Sequence, residues 1–324
     1  MKVYIVGRGA VGTYLGERLE SIGVEVAYAP RERAAVAPFD ADVAIVATKA
    51  YDTEGAIETL RAAIAYPQKC VFVTPQNGIG NEEALAKVFG ANNVVAAALT
   101  IPVGRERNGS VKPARDGGLA FAPVGSSAFN WLTATFAGTG MNVKVFDDYR
   151  ALKWSKLALN VVANASCAIL NVLPHRLVDF EKIFTLEIRM IREVHAVMRA
   201  LHLAPVDLPR YPVRALFGVA ALPSPIARTM ISARVAGARG TKAPSLLTDL
   251  RRGEPQTEVH VLNGAVASAG YGCNVPTPVN AVYARVLSDI ANMPQLWPKY
   301  RERPEALLAE VEAEMRRVKA LKKL

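Results

Sequence analysis

The chain has 324 residues, of which 51% are hydrophobic and 21% charged, and this composition excludes an intrinsically disordered protein. Its three cysteines, Cys70, Cys167 and Cys273, have neither the number nor the spacing of a disulfide framework or a structural zinc site, so we expect no metal. The formal net charge is +10, but the bases are spread along the chain without a nucleic-acid-binding motif, which favours an anionic small-molecule ligand over nucleic acid.

Strands and helices alternate through the first half of the chain. We predict strands at Val3–Val6, Val24–Ala29, Val43–Thr48, Cys70–Thr74, Val94–Leu99 and Val143–Phe146, and helices at Ala10–Ile22, Thr53–Ile64 and Asn81–Phe89. Such alternation predicts an α/β domain over residues 1–147, with a Rossmann-like, doubly wound parallel sheet.

From about residue 148 the pattern is almost wholly helical, which predicts a second, all-α domain over residues 148–324. We expect helices at Arg150–Asn171, Asp179–Leu201 and Glu258–Gly270, while prolines divide residues 203–225 into short pieces. Residues 303–324 form an amphipathic helix with acids early and bases late, as the helix dipole favours. This helix either packs on its own domain or makes a surface contact, such as that of a homodimer.

Neither a secretory leader nor a membrane span is predicted. The opening MKVYIV is strand-like and lacks a charged segment followed by a cleavage site. The longest apolar run, Leu157–Leu173, is interrupted by three asparagines and predicts a buried helix, since a span needs about 20 apolar residues. We therefore expect a cytoplasmic protein that has no membrane partner.

The first chemical motif is GRGAVG, which follows the first strand and opens the first helix. Gly7 would allow a tight turn, Gly9 would let a pyrophosphate approach the backbone, and Gly12 would let the helix pack on the strand. The N–H groups at the helix start, at Ala10 and Val11, would bind the phosphates. The motif predicts a dinucleotide site.

The end of the second strand indicates which dinucleotide binds. An enzyme that uses NAD usually has an acidic residue there to hold the ribose hydroxyls. This chain has Ala29 and Pro30 instead, followed by Arg31 and Arg33. A guanidinium favours a 2′-phosphate, so the sequence predicts NADPH, unless these arginines only face solvent.

Two further polar residues follow predicted strands, at the strand ends where ligands bind in such sheets. Lys49 lies in VATKAYDT after the third strand, within reach of a cofactor phosphate. Asn77 lies in TPQNGIGN after the fourth strand, near the expected nicotinamide. The Asn-Gly pair is also a strong turn signal, so Asn77 is either a turn residue or a polar contact.

The stretch KWSKLALNVVAN places a lysine and two amides in apolar surroundings. Lys156, Asn160 and Asn164 recur every fourth residue, which puts them on one face of a helix. Each would cost at least about 1–3 kcal/mol if it were buried without a partner. They therefore either belong to a hydrogen-bonded core network or line a cleft that binds a polar ligand, where a lysine can serve as an acid.

A third polar set lies in APSLLTDLRRGEPQTEVHVLNG. Ser245 precedes a short helical turn, and Glu258 opens a predicted helix. Taken alone, both residues are also typical of helix starts.

These motifs together resemble the ketopantoate reductase (2-dehydropantoate 2-reductase) family over about residues 1–295. The resemblance rests on GRGAVG, TKAYD, QNGIG, WSKLALNVVAN, and PSLLTD followed by TEVHVLNG. It implies that Lys156 is the catalytic acid. It also implies that Glu258, Asn160 and Asn164 hold the substrate and that Ser245 helps to anchor it.

The resemblance implies that Asn77 lies beside the nicotinamide and that Arg31 and Lys49 surround the 2′-phosphate of NADPH. The expected activity is reduction of the 2-keto acid ketopantoate to pantoate, in pantothenate and coenzyme A biosynthesis. A related NADP(H)-dependent reductase of another 2-keto acid or of an imine is an alternative, and a redox sensor without turnover is another. Lys156 and Glu258 favour an enzyme, because a sensor needs no acid.

The chain departs from the family pattern in several places. Only about a dozen residues separate Arg31 from the third strand, and one residue is added between Asp249 and Glu258. His260 stands where the family commonly has Asp. These departures bear on the substrate more than on the reaction type.

Overall fold

The computed structural model describes residues 1–30, 38–106, 109–239 and 242–321. The chain divides into two compact units. The first comprises Met1–Lys156 and Val206–Pro212, and the second Leu157–Pro205 and Val213–Leu324. The units therefore divide nine residues after the sequence-derived boundary, and the functional domain division at 147/148 stays a prediction.

The first unit contains a seven-stranded sheet, whose strand order is β2-β1-β3-β4-β5-β8-β9, and a separate hairpin of β6 and β7. The strands are β1 Lys2–Val6, β2 Glu25–Tyr28, β3 Val43–Val46, β4 Val71–Thr74, β5 Val94–Leu99, β6 Val103–Arg105, β7 Val111–Pro113, β8 Leu119–Pro123 and β9 Val143–Val145. All pairings in the large sheet are parallel except that of β5 with β8. The predicted fold class is confirmed, but β8 and β9 run antiparallel to the other five strands of the large sheet, which the sequence pattern did not show.

The sheet is buried on both faces, as its continuous apolar strands require. Val3 and Ile5 of β1 join the core on one face, with Leu15 and Leu19, while Tyr4 joins the core on the other face. The α-helices of this unit are α1 Ala10–Glu20, α2 Thr53–Ala63, α3 Asn81–Phe89 and α4 Asn130–Gly138, with 3₁₀ turns at Ala50–Asp52, Pro67–Lys69 and Ala91–Asn93.

Helix α5, Tyr149–Val161, contains the division between the two units. The second unit continues with α6 Ala165–Leu170, α7 Pro174–Leu177, α8 Glu181–Ala200, α9 Val213–Ala221, α10 Ser224–Arg239, α11 Ser245–Arg251, α12 Asn263–Gly272, α13 Pro278–Asn292 and α14 Pro304–Leu321. Two 3₁₀ segments lie at Glu258–His260 and Pro294–Lys299. Among the described residues, no helix combines the length and apolarity that crossing a membrane would take.

The prediction of one continuous helix over Arg150–Asn171 is wrong. The chain leaves the helical path at Ala163, whose φ is 51°, and α6 then starts after Asn164. The cause is a buried carboxylate from α8: Glu187 accepts the N–H of Ala163 at 2.5 Å and also the hydroxyl of Ser166. The break depends on a side chain from another helix, which replaces the intrahelical hydrogen-bond partners. The local sequence contains no Gly or Pro that would indicate it.

The proline-rich interval returns the chain to the first unit for a short stretch. The N–H of Val206 donates to Ser155 Oγ at 2.9 Å, and Thr100 Oγ1 donates to the carbonyl of Pro209 at 2.9 Å. Gly118 is necessary here, because a Cβ on it would lie 2.5 Å from the Cβ of Pro209. In this proline-rich interval, side chains of the first unit thus provide hydrogen-bond partners for the N–H of Val206 and the carbonyl of Pro209.

The C-terminal helix packs on its own unit. In α14, Leu307 and Val311 are buried, and Glu310 binds Lys299 at 2.8 Å and Arg285 at 3.0 Å. These hydrogen bonds lower the pKa of Glu310 to about 2. A homodimer stays a prediction.

The start of α13 binds a buried carboxylate. Glu193 on α8 accepts the N–H groups of Val279 and Asn280, each at 3.0 Å, and the Nδ2 of Asn280 at 2.8 Å. Burial raises the pKa of Glu193 from 4.5 to about 7, although the three N–H donors act in the opposite direction.

We therefore expect stability to fall as the pH rises from about 5 to about 7, because the folded state binds a proton in this range that the unfolded state has lost. The full shift corresponds to at most ~3 kcal/mol. Urea unfolding of the parent and Glu193→Gln at several pH values checks this. The variant should lose the slope whatever its absolute stability, and equal slopes in both proteins would contradict the assignment.

Candidate active site

Four of the predicted site residues lie at one edge of the parallel sheet. The strands β1, β3, β4 and β5 end at Val6, Val46, Thr74 and Leu99. Gly7, Lys49 and Asn77 follow the first three of these strands, and the Nζ of Lys156 donates to the carbonyl of Leu99 at 2.8 Å. Carboxyl ends of parallel strands meet at one edge, and the strand order reverses at β1, where such sheets bind ligands.

The glycine loop has the geometry that a dinucleotide requires. Gly7 has a φ of +102°, and a Cβ there would lie 2.5 Å from the carbonyl carbon of Ala47. A Cβ on Gly12 would lie 2.0 Å from the carbonyl oxygen of Gly7, so helix and turn meet only without a side chain. A Cβ on Gly9 would have no heavy atom within 4 Å, which leaves the backbone there open to approach.

The residues at this loop therefore fit a pyrophosphate. Gly9 precedes α1, whose first N–H groups, at Ala10 and Val11, have no partner within the helix. The positive end of the helix dipole adds to their attraction for phosphate. Arg31, the predicted ligand of the 2′-phosphate, lies outside the described residues, and its role stays a prediction.

A buried amide holds the loops after β3 and β4 in place. The Nε2 of Gln76 donates to Thr53 Oγ1 at 3.0 Å and to the carbonyl of Thr48 at 3.3 Å, while its Oε1 accepts from Thr74 Oγ1 at 2.9 Å. The Nδ2 of Asn81 donates to the carbonyl of Asn77 at 3.1 Å. These contacts fix the backbone on both sides of Lys49 and Asn77. Gln76 was not among the residues predicted from the sequence, although it directly precedes Asn77.

A buried ion pair lies beneath this edge. Lys153 Nζ is 2.8 Å from Glu82 Oε1, and the two side chains are 2% and 1% exposed. The same ammonium donates to the carbonyls of Gln76 at 2.6 Å and Ala97 at 3.4 Å. Burial raises the pKa of Glu82, and the Lys153 ammonium acts in the opposite direction. This pair was not predicted from the sequence, in which its local sign is the first lysine of KWSK.

The residues predicted to hold substrate lie in the second unit. Asn160 is half-buried on α5. Asn164 is not on that helix, so the predicted three-residue stripe is wrong at its third member. The Oδ1 of Asn164 accepts the N–H of Leu246 at 3.2 Å, and its Nδ2 donates to Ser245 Oγ at 3.4 Å. The structure thus brings Asn164 and Ser245 together at the start of α11, where the amide also caps the helix.

Glu258 opens the 3₁₀ segment and is 4% exposed. The preceding residue, Thr257, caps this segment by accepting the N–H of Val259 at 3.5 Å. The helix start predicted at Glu258 is thus a 3₁₀ turn, and α12 begins at Asn263. Over the part of the chain that the structure describes, His, Cys, Asp and Glu form no cluster suited to a metal ion.

Two family models match the chain. One, ketopantoate reductase PanE/ApbA, covers residues 28–126, and the other, the C-terminal part of the same family, covers residues 148–291. The chain belongs to the ketopantoate reductase family. The resemblance seen in the sequence motifs is thereby confirmed.

Known proteins are similar to this ketopantoate reductase family member over most of its length. A 2-dehydropantoate 2-reductase of Pyrobaculum aerophilum is 29% identical over 294 residues, covering 85% of this chain and 93% of the relative. A PanE/ApbA family ketopantoate reductase of Ralstonia eutropha has a TM-score of 0.73 at 25% identity, covering 91% of this chain and 100% of that one. D-mandelate dehydrogenase with NADH and anilino(oxo)acetate has a TM-score of 0.74 at 19% identity, covering 90% and 100%, which shows the shared fold.

The buried pair of this family member yields a stability prediction. Lys153→Met should cost about 3–5 kcal/mol in the free energy of unfolding, because Glu82 would stay buried without its cation. The double variant Lys153→Met/Glu82→Gln should recover part of that loss. Urea unfolding followed by circular dichroism checks both.

The control for this prediction is the exposed pair of Arg176 and Asp179, whose atoms lie 3.2 Å apart with side chains 67% and 60% exposed. Arg176→Met should change stability by at most ~1 kcal/mol. If Lys153→Met were as mild as this control, the buried pair would not support the fold.

Proposed function

We propose that the protein reduces the 2-keto acid ketopantoate to pantoate with NADPH, in the biosynthesis of pantothenate and coenzyme A. The observation that carries the proposal is that four groups lie at the carboxyl edge of one sheet. They are the glycine loop, Lys49, Asn77 and the ammonium of Lys156. A phosphate cradle and a proton donor at the same edge are what a dinucleotide-dependent carbonyl reduction needs. When bound, the nicotinamide would supply the hydride.

Lys156 is the proposed proton donor. Its half-buried ammonium is held by a neutral carbonyl, that of Leu99, so the positive charge is not cancelled by this partner. An ammonium in such a place stabilises the negative charge that grows on a carbonyl oxygen during reduction, and then protonates it. Lys153 is an unsuitable donor because its ammonium neutralises Glu82.

The other roles concern binding. We propose that the amide of Asn160, the hydroxyl of Ser245 and the carboxylate of Glu258 bind the polar groups of the substrate, with Asn164 orienting Ser245. The contact between Asn164 and Ser245 supports this pairing. Lys49 and Arg31 are proposed to bind the cofactor phosphate, and Asn77 the nicotinamide. Names of the relatives support the family's activity, and D-mandelate dehydrogenase of the same fold makes another 2-keto acid the second candidate substrate.

The test is a turnover assay that follows the absorbance of the reduced nicotinamide. The purified chain is mixed with ketopantoate and either NADPH or NADH, and in parallel with phenyl-substituted and unbranched 2-keto acids. We expect the highest kcat/KM with ketopantoate and NADPH. A higher value with another keto acid would change the substrate assignment, a higher value with NADH would change the cofactor, and no turnover with any combination would overturn the enzyme assignment.

Lys156→Ala should lower the hydride-transfer rate by about 10²–10⁴-fold, the usual contribution of a general acid. Binding of NADPH should persist because the glycine loop is untouched. Single-turnover kinetics across a pH series provide the measurement. The parent rate should fall on the alkaline side as the lysine loses its proton, and the variant should lack that limb. A variant with a near-parental rate would show that another group supplies the proton.

Glu258→Gln should raise KM for the keto acid by about 10-fold or more, since a hydrogen bond to a charged group contributes about 1.5–3 kcal/mol. The dissociation constant of NADPH, measured by fluorescence titration, should stay within about twofold of the parental one. Ser232→Ala is the control and should change neither constant, because this hydroxyl donates to a carbonyl of its own helix, Thr229 O, at 3.2 Å. Loss of NADPH binding in Glu258→Gln would instead indicate a structural role.

A further inference from the structure

The end of β2 carries an aromatic ring directly before the position, Ala29 or Pro30, where an acidic residue would bind a ribose. Tyr28 is the last residue of β2, and it is half-buried. Its hydroxyl packs against α1 at Gly16, where a Cβ would lie 1.9 Å from the Tyr28 oxygen. The ring is therefore held in place by the backbone of the same helix that the glycine loop opens.

An arginine of the glycine loop lies on this ring. The Cζ of Arg8 is 4.7 Å from the centre of the Tyr28 ring, a cation–π contact. Burial, together with Glu20 and Glu17, raises the pKa of Tyr28, and the Arg8 guanidinium acts in the opposite direction. Because Arg8 is exposed, its guanidinium faces solvent on the side away from the ring.

A second arginine fixes the backbone beneath the first. Arg105 on β6 donates from Nη2 to the carbonyl of Arg8 at 2.8 Å and to Thr13 Oγ1 at 3.1 Å. Arg8 is thus held at its backbone by Arg105 and at its side chain by Tyr28. Such preorganisation lowers the entropy that a flexible arginine loses when it binds a phosphate.

We propose that Arg8, seated on Tyr28, binds the 2′-phosphate of the cofactor and sets the preference for NADPH over NADH. The first strand of the fold places the pyrophosphate at Gly9, and the end of β2 is where the adenosine ribose is read. Arg8 belongs to the glycine loop, and its guanidinium lies on the ring at the end of β2, where it offers a planar fork of donors that suits phosphate. The inference rests on the proposed dinucleotide function and adds a specificity-determining residue to it.

The experiment is a titration of the full chain and its variants with NADPH, NADH, adenosine 2′,5′-bisphosphate and ADP. Arg8→Ala should weaken the binding of NADPH and of the 2′,5′-bisphosphate by about 10- to 100-fold. This is the effect of losing one charge-assisted hydrogen bond of about 1.5–3 kcal/mol. The dissociation constants of NADH and ADP should change by less than about threefold. Arg8→Lys, which keeps the charge but loses the fork, should give an intermediate loss.

Three further variants separate this role from a general effect of charge or folding. Arg18→Ala removes a guanidinium that lies 5.3 Å from the Tyr14 ring on α1, and it should leave all four affinities unchanged. Tyr28→Phe should keep the preference because the ring remains, whereas Tyr28→Leu should reduce it.

The outcomes distinguish the inference from the function on which it rests. A parent protein that prefers NADPH, with the same preference in Arg8→Ala, would overturn the role of Arg8 and leave the proposed function intact. Equal losses of NADPH and NADH in Arg8→Ala would assign the guanidinium to the pyrophosphate or the adenine instead. A parent that binds both dinucleotides equally would contradict the cofactor proposal itself, and turnover with ketopantoate would then show whether the reductase activity survives that correction.

Discussion

The candidate site of the first unit depends on one buried ion pair, that of Lys153 and Glu82. The ammonium joins three elements, because it binds the carboxylate of Glu82 on α3, the carbonyl of Gln76 in the loop after β4, and a carbonyl of β5. A pair of this kind gains little stability over two apolar side chains, since both charges lose their hydration. Its consequence is geometric: a charge that satisfies three acceptors at once holds α5 in one position against the sheet. Lys156, one turn further along α5, is therefore placed at the end of β5.

A second buried carboxylate has a comparable effect in the other unit. Glu187 takes the N–H of Ala163 and the hydroxyl of Ser166, so the helix stops and Asn164 turns away from the line of Lys156 and Asn160. The amide of Asn164 then meets the start of α11 and Ser245. The break thus brings together two residues that lie 81 positions apart in the chain.

These two carboxylates explain how far the sequence could predict the structure. The glycine loop was predictable because strand, turn and helix are adjacent in the chain, and the close approach of Gly12 to the carbonyl of Gly7 lies within this segment. The position of Lys49 and Asn77 after strands of a largely parallel sheet followed from the alternation of strands and helices. The helix break was not predictable, because Glu187 lies on another helix and no Gly or Pro marks the site. The Lys153–Glu82 pair was missed for the same reason, since either residue alone resembles a solvated charge on a helix surface.

The pairing also distinguishes the two lysines of KWSK. Both ammonium groups lie on α5, three residues apart, and simple spacing treats them alike. The ammonium of Lys153 is the cation of a buried ion pair, and its partner Glu82, which is 1% exposed, would be costly to leave without that cation. Lys156 is half-buried, and its ammonium donates to the carbonyl of Leu99 at the carboxyl edge of the sheet. We therefore assign the proposed role of proton donor to Lys156, because the ammonium of Lys153 already has a structural role in the buried ion pair.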